Sequence, residues 1–181
     1  MKMPKGKTLS LRLAEVDDAE FIYRLRVDPS YNQHLSVVDG TSDDQREWLR
    51  KYKERESRGE EYYFIIFRTS DQFPLGTIRI YDFVGGRKSF GIGSWIVADQ
   101  KSRFSALESV LLAYDFGFSE LGFEACHLDV RKDNEKVVSF HRKSGALLCR
   151  EDDVNVYFTM TREIFDNFSN RFRPLLTPVV A

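Results

Sequence analysis

Residues 89–131 constrain this chain more than any other stretch. They read as a strand (SFGIGSWIV, 89–97), a polar turn with no glycine, a long helix and a second strand (ACHLDVR, 125–131). On the helix Leu107, Val110, Leu111, Tyr114 and Phe118 recur at helical spacing, and Gly122 ends it. A helix that joins two neighbouring strands must carry the chain back across the sheet, so those strands lie parallel. The crossover excludes an all-α or an all-β fold.

The remaining elements fall on either side of it. Residues 8–14 alternate as a half-buried strand, and Asp17 and Asp18 open a helix with Phe21, Ile22 and Leu25 on one face that stops before Pro29. The segment 29–41 reads as a loop, and Ser42 with Gln45 as a capping box starting a highly charged helix that runs to about Gly59. Runs at 62–68, 75–83 and 89–97 are separated by the short turns Asp71–Pro74 and Val84–Arg87, which predicts an antiparallel meander. After 125–131, Asp133 or Asn134 caps a helix that stops at Gly145; strands near 146–150 and 154–160 and a helix over 162–172 complete the order. The expectation is one mixed α/β domain over 8–172, with a flexible N-terminus at 1–7 and a loose tail at 173–181.

Composition narrows the function classes. The 181 residues are 42% hydrophobic and 30% charged with a net charge of −1, so no global field draws the chain to nucleic acid or an anionic membrane, and neither is expected as a partner. Lys-rich Met1–Lys7 has no apolar stretch behind it, so it is not read as a secretory signal, and the cytoplasm is the expected address. Cys126 and Cys149 are too few for a disulfide framework or a thiolate metal site; both are read as buried, and no metal is expected.

Three stretches, "GIGSWIV", "YDFGFSELGF" and "LDVRKDNEKVVSFHRKSGA", resemble in type and order the GNAT superfamily of acyl-CoA-dependent N-acetyltransferases. The likeness covers about residues 8 to 160 and is nearest in style to the branch acting on ribosomal-protein N-termini or amino sugars. It implies a central mixed sheet of about seven strands with helices on both faces, its two central parallel strands splayed to admit the pantetheine arm of acetyl-CoA as co-substrate. Trp95, Ile96 and Val97 then offer backbone to the arm, and Asn134 combines a helix cap with contact to it. Gly91 and Gly93 signal a bulge or a close backbone approach in that strand.

The family's phosphate turn, Gln/Arg-x-x-Gly-x-Gly/Ala, falls on Lys101, Phe104 and Ala106 when counted back from "FSELG". Phe104 departs from it. A helix N-terminus still presents free amides and a positive dipole end, flanked here by Lys101 and Arg103, with Ser102 and Ser105 as hydroxyl donors. For the chemistry, the family's late-helix Tyr falls on His141, which as imidazolium could protonate the departing thiolate; Asp129 is the candidate base, and Asp82 and Asp129 could equally be structural partners of arginines. Glu108 is expected to face solvent or pair locally. Arg26, Tyr31, His34, Arg79 and Tyr81 would line the acceptor pocket, an Arg–aromatic set suited to a phosphate- or sugar-bearing amine. Three readings stay open: acetylation of a small-molecule amine, acetylation of a protein N-terminus, and a degenerate domain that binds without turnover. A homodimer is compatible with each.

Overall fold

The computed structural model describes residues 1–36, 38–86 and 88–177. Val37 in the first loop, Arg87 in the second meander turn and 178–181 of the tail lie outside them. In chain order the elements are β1 (Leu9–Leu13), a 3-10 turn (Val16–Asp18), α1 (Ala19–Val27), α2 (Ser42–Ser57), β2 (Tyr62–Arg68), β3 (Pro74–Val84), β4 (Ser89–Val97) and α3 (Ser105–Asp115). A π-helical turn (Phe116–Glu120) follows, then β5 (Ala125–Arg131), α4 (Glu135–Ser144), β6 (Leu147–Glu151), β7 (Asn155–Thr161), α5 (Arg162–Asn170) and α6 (Arg173–Leu176).

The sheet order is β1-β2-β3-β4-β5-β7-β6, and β4–β5 is its parallel pair. β2 is buried on both faces, as its unbroken apolar run YYFIIFR requires. Phe64 and Ile66 pack with Phe90 and with α3, α4 and α5 residues such as Leu111, Val138 and Phe165; Tyr63 and Ile65 pack with Ile22 of α1 and Leu49 and Tyr52 of α2. Helices therefore cover both faces, and β7 alternates strictly between buried and half-buried positions.

Several expectations shift. The capping box is Thr41 with Asp44, one residue upstream of the Ser42–Gln45 pair, because Asp44 accepts from the Thr41 amide at 2.8 Å while its own amide donates to Thr41 Oγ1. Glu108 does not face solvent: it is buried and accepts from Thr8 N at 2.7 Å and Leu9 N at 3.0 Å, tying the entry of β1 to α3. Cys126 is buried but Cys149 lies exposed on β6. Residues 4–7 are hydrogen-bonded to the body through Leu11 N to Pro4 O and Lys7 N to Leu175 O, and 173–176 form a helical turn.

β4 and β5 pair only over Ser89–Gly91 and Ala125–His127. That closed end is pinned by side chains: His127 Nδ1 shares a hydrogen bond with Ser89 Oγ at 2.7 Å, and its Nε2 meets Asp82 at 3.2 Å. Asp82 sits at φ 53° in a bulged stretch of β3, and its partner is this histidine rather than an arginine. Beyond Gly91 and His127 the two strands part.

Candidate active site

The parting opens a gap of about 170 Å³, lined by Ile92–Trp95 of β4, Leu128–Arg131 of β5, and Asn134, Val137 and His141 of α4. β4 cannot run straight here. Gly93 pairs with Arg79 and Ile96 with Thr77, so Ser94 and Trp95 together stand opposite the single Ile78. Ser94 takes a φ of 47°, a left-handed conformation rare outside glycine, held by Thr77 Oγ1 donating to its carbonyl at 2.7 Å. A bulge of this kind frees amides from the ladder and re-aims them. Glycine at 93 has a steric reason: a Cβ there would lie 2.8 Å from the Tyr81 ring.

Two larger spaces meet the gap from opposite sides. One is a cavity of about 720 Å³ walled by Arg26 of α1, loop residues 34–36, 38, 39 and 41, Gln45 and Trp48 of α2, Arg79 and Tyr81 of β3, Gly93 and Ser94, and Asp129 of β5. Gly93, Ser94 and Asp129 line both the cavity and the gap, so the two join at Asp129. Asp129 is exposed, and its carboxylate makes no hydrogen bond or ion pair with another described residue, which leaves it disengaged. Tyr81 is held in its protonated form, its pKa raised by burial and then by the nearby Asp129 charge.

The other space is a groove of about 530 Å³ floored by Trp95, Phe140, Phe168 and Phe172 and edged by Arg103, Lys136, Lys143 and Arg171. None of these four cations has an ion-pair partner among the described residues. Arg103 lies over the Phe104 ring and Arg171 over Phe168. The indole of Trp95 is fixed by its Nε1–H donating to Ser109 Oγ at 3.1 Å. An apolar floor rimmed by unneutralised cations suits a ligand with a long uncharged arm and a phosphorylated head.

The predicted site residues divide. Trp95, Arg103 and Ala106 line the groove, and Asn134 lines the gap while accepting from Val137 N as the α4 cap. Ile96 is turned away, packed with Leu25 and Ala98, and the Val97 carbonyl accepts from Lys101 Nζ at 3.1 Å, which draws Lys101 off the groove. Ser105 is not an open hydroxyl donor: it is buried, and its Oγ accepts from Ser102 N at 2.9 Å and shares a hydrogen bond with the exposed Ser102 Oγ at 3.0 Å. Phe104 stands at the N-cap of α3, 46% exposed, its ring outside the groove.

Arg26, His34, Arg79 and Tyr81 do gather in the cavity. Arg79 is not available as a free phosphate partner, since its guanidinium bonds the buried Glu61, which also holds Arg55. Arg55, Trp48, Arg79 and Tyr81 form a ladder of cations and rings at 5.3, 5.2 and 4.8 Å, a stiff wall rather than a set of open charges. Tyr31 lies outside the cavity; its hydroxyl accepts from Asp99 N at 3.1 Å beyond β4. His34 faces Asp133 at 3.2 Å beyond β5, so the 28–41 loop is pinned on both sides of the parted strands.

His141 lines the gap but is only 3% exposed, between Phe140 and Phe158, and burial pushes its pKa down to about 4. The imidazolium expected from the sequence is therefore not the form present at neutral pH; desolvation disfavours the charge. Sequence reasoning missed Gln45, Trp48, Lys136, Lys143 and Arg171. No motif or spacing singles out the lysines and Arg171; only the placement of α4 and the end of α5 beside Trp95 gathers them.

Residues 8–147 match the model of the acetyltransferase (GNAT) domain. The chain belongs to the GNAT acetyltransferase family. A curated relative, the probable N-acetyltransferase YjcK of Bacillus subtilis (strain 168), is 29% identical over 149 residues, 79% of this chain and 82% of its own. Among solved structures, apo FdhC, described as a nucleotide-linked sugar GNAT, is 46% identical with a TM-score of 0.90, covering 97% of this chain and 99% of that one. A spermidine N-acetyltransferase from Vibrio cholerae in complex with CoA and spermine shares the GNAT fold at 17% identity and a TM-score of 0.74, covering 88% of this chain and 98% of its own. Among the described residues of this GNAT chain no cluster suited to a metal ion occurs, and no helix is long and apolar enough to cross a membrane.

Proposed function

We propose that the chain transfers an acetyl group from acetyl-CoA to a primary amine of an amino sugar carried on a nucleotide. The observation that carries this reading is the single path of groove, gap and cavity across the bulge of β4, with the disengaged Asp129 carboxylate at its crossing. The kinship with a nucleotide-linked sugar GNAT at 46% identity supports the choice of acceptor class.

Each residue follows from its chemistry. Acetyl-CoA supplies the acetyl group already activated as a thioester. The four cations of the groove hold the phosphorylated end, and the Trp95–Phe140 floor carries the uncharged arm. The bulge amides at Ser94 and Trp95 meet the acetyl oxygen as the amine attacks and negative charge gathers on it. Asp129 accepts the proton that the attacking nitrogen loses. His141, neutral in the gap, offers the departing sulfur a hydrogen bond rather than a proton from an imidazolium.

Release of the CoA thiol with a panel of amines tests the reading. Turnover is expected with nucleotide-linked amino sugars, and Asp129→Asn should lower kcat by about 10²–10⁴-fold, the usual worth of a positioned general base. Turnover confined to peptide N-termini, or an unimpaired Asp129→Asn, overturns it.

A further inference from the structure

We propose that Arg26 and Gln45 form a receptor for a phosphate of the acceptor, the group joining its sugar to its nucleotide. This rests on the acceptor reading above and adds to it the place where the anionic part is recognised.

Two donors with nothing to donate to mark the site. Gln45, the first buried residue of α2, is 6% exposed and is one of the cavity's residues; its buried Nε2 has no hydrogen-bond partner among the described residues. Arg26, in the last turn of α1, lines the same cavity, and its buried Nε has no partner among the described residues. Its Nη2 donates to Ser36 Oγ at 2.8 Å, which fixes the plane of the guanidinium and leaves the Nε edge unengaged. Buried donors without acceptors are costly, and they are retained where a ligand completes them.

The charges of the wall decide what that ligand is. Arg79 shares the Glu61 carboxylate with Arg55, Asp44 keeps its charge while closing the capping box with Thr41, and His34 faces Asp133. Among the described residues Arg26 is then the cation of the wall with no carboxylate partner, while Asp129 stands free at the junction with the gap and exposed Asp39 on the loop. The cavity therefore offers a carboxylate where the amine must react and an unneutralised guanidinium elsewhere on its wall. A sugar hydroxyl can accept from both N–H donors, but a phosphate oxygen accepts from them and also carries charge complementary to Arg26. The volume of about 720 Å³ lies in the range that encloses a ligand larger than a single sugar.

The test compares a nucleoside-diphosphate-linked amino sugar with the same amino sugar free, using the full chain with Arg26→Met, Arg26→Lys and Gln45→Leu. For the linked acceptor Arg26→Met should raise KM about 10- to 100-fold, as expected for a charge-assisted hydrogen bond lost on removing one partner, with kcat changed far less. Gln45→Leu should raise it about 5- to 10-fold, and Arg26→Lys should fall between Arg26→Met and wild type. The free sugar should show a much smaller KM shift in each variant. Equal shifts for both acceptors, or none, overturn the proposal. Calorimetry with the nucleoside diphosphate alone reads the receptor without turnover. Binding to wild type that weakens in Arg26→Met and Gln45→Leu supports it even if no acetyl transfer is found, and absence of binding to wild type counts against it. Gln45→Leu carries the test should Arg26→Met fail to fold.

Discussion

The groove behind Trp95 and the cavity above Gly93 lie on opposite sides of one strand and follow opposite electrostatic plans. In the groove, Arg103, Lys136, Lys143 and Arg171 are exposed and have no ion-pair partner among the described residues, over a floor of four aromatic rings. In the cavity, the charged groups are held in place: Glu61 bonds both Arg79 and Arg55, Asp44 is fixed by its hydrogen bonds to Thr41, and the Trp48 ring lies against Arg55 and Arg79. Exposed, uncompensated cations attract a multiply charged ligand from a distance but bind it in a way that salt screens. Pinned, partly buried charges give a wall of fixed shape with a few disengaged groups, which sets specificity more than attraction. The two plans suit a shared, phosphorylated donor on one side and a selected acceptor on the other.

The comparison breaks if the two sides respond alike to charge removal and salt. Replacing Lys136 and Lys143 together by Ala should weaken CoA binding about tenfold or more at low ionic strength, and the deficit should shrink as salt rises past the point where the screening length falls below about 10 Å. Isothermal calorimetry in a salt series measures it. The acceptor KM should move far less over the same series. A CoA affinity insensitive to both lysines would remove the groove from the donor's path.

A smaller effect sharpens the gap between them. His141 has a folded pKa of about 4, below the ordinary value of 6.5 that it regains on unfolding. The unfolded chain thus binds more protons between those values, so the contribution is fully present above pH 6.5 and is lost as pH falls through 4. At pH 5 the loss should reach about 2 kcal/mol, and His141→Leu should flatten that part of the profile in denaturant melts. If wild type and variant lose stability in parallel from pH 7 to 5, the imidazole is not held neutral by burial, and an imidazolium role returns.

Much of the fold was legible because its signals are local. The runs 62–68, 89–97 and 125–131 coincide with β2, β4 and β5, and Asn134 and Gly145 cap α4 where cap chemistry says they should, Gly145 at φ 88°. What escaped depends on contacts far apart in sequence. Glu108 looks like any helix glutamate until Thr8 reaches it, and His141 looks like a titrating imidazole until Phe140 and Phe158 dry it. The roles of Arg79 and Tyr31 turned on Glu61 and Asp99, partners that no spacing rule announces. The one-residue shift of the capping box is a different failure: Thr41 and Ser42 are both good caps, and only the Asp44 bond chooses between them.

The smallest predicted effect concerns the turn whose glycine is replaced by Phe104. A side chain at a helix start that is to bind an anion is harmful only if it covers the amides, and the Phe104 ring is turned to solvent and to Arg103. It is 46% exposed, lies against the Arg103 guanidinium at 5.4 Å and takes no part in lining the groove. The turn is shaped instead by Ser102 and Ser105, whose mutual hydrogen bonds, with Ser105 N donating to the Ser102 carbonyl, close it without glycine. Phe104→Gly should therefore change CoA affinity by less than about threefold, under 1 kcal/mol. Part of even that change would come from Arg103, which loses the ring beneath it and samples more orientations. Tighter binding by tenfold or more in Phe104→Gly would mean that the ring does obstruct the phosphates. A loss of that size would make the Arg103–Phe104 stack itself part of the donor site.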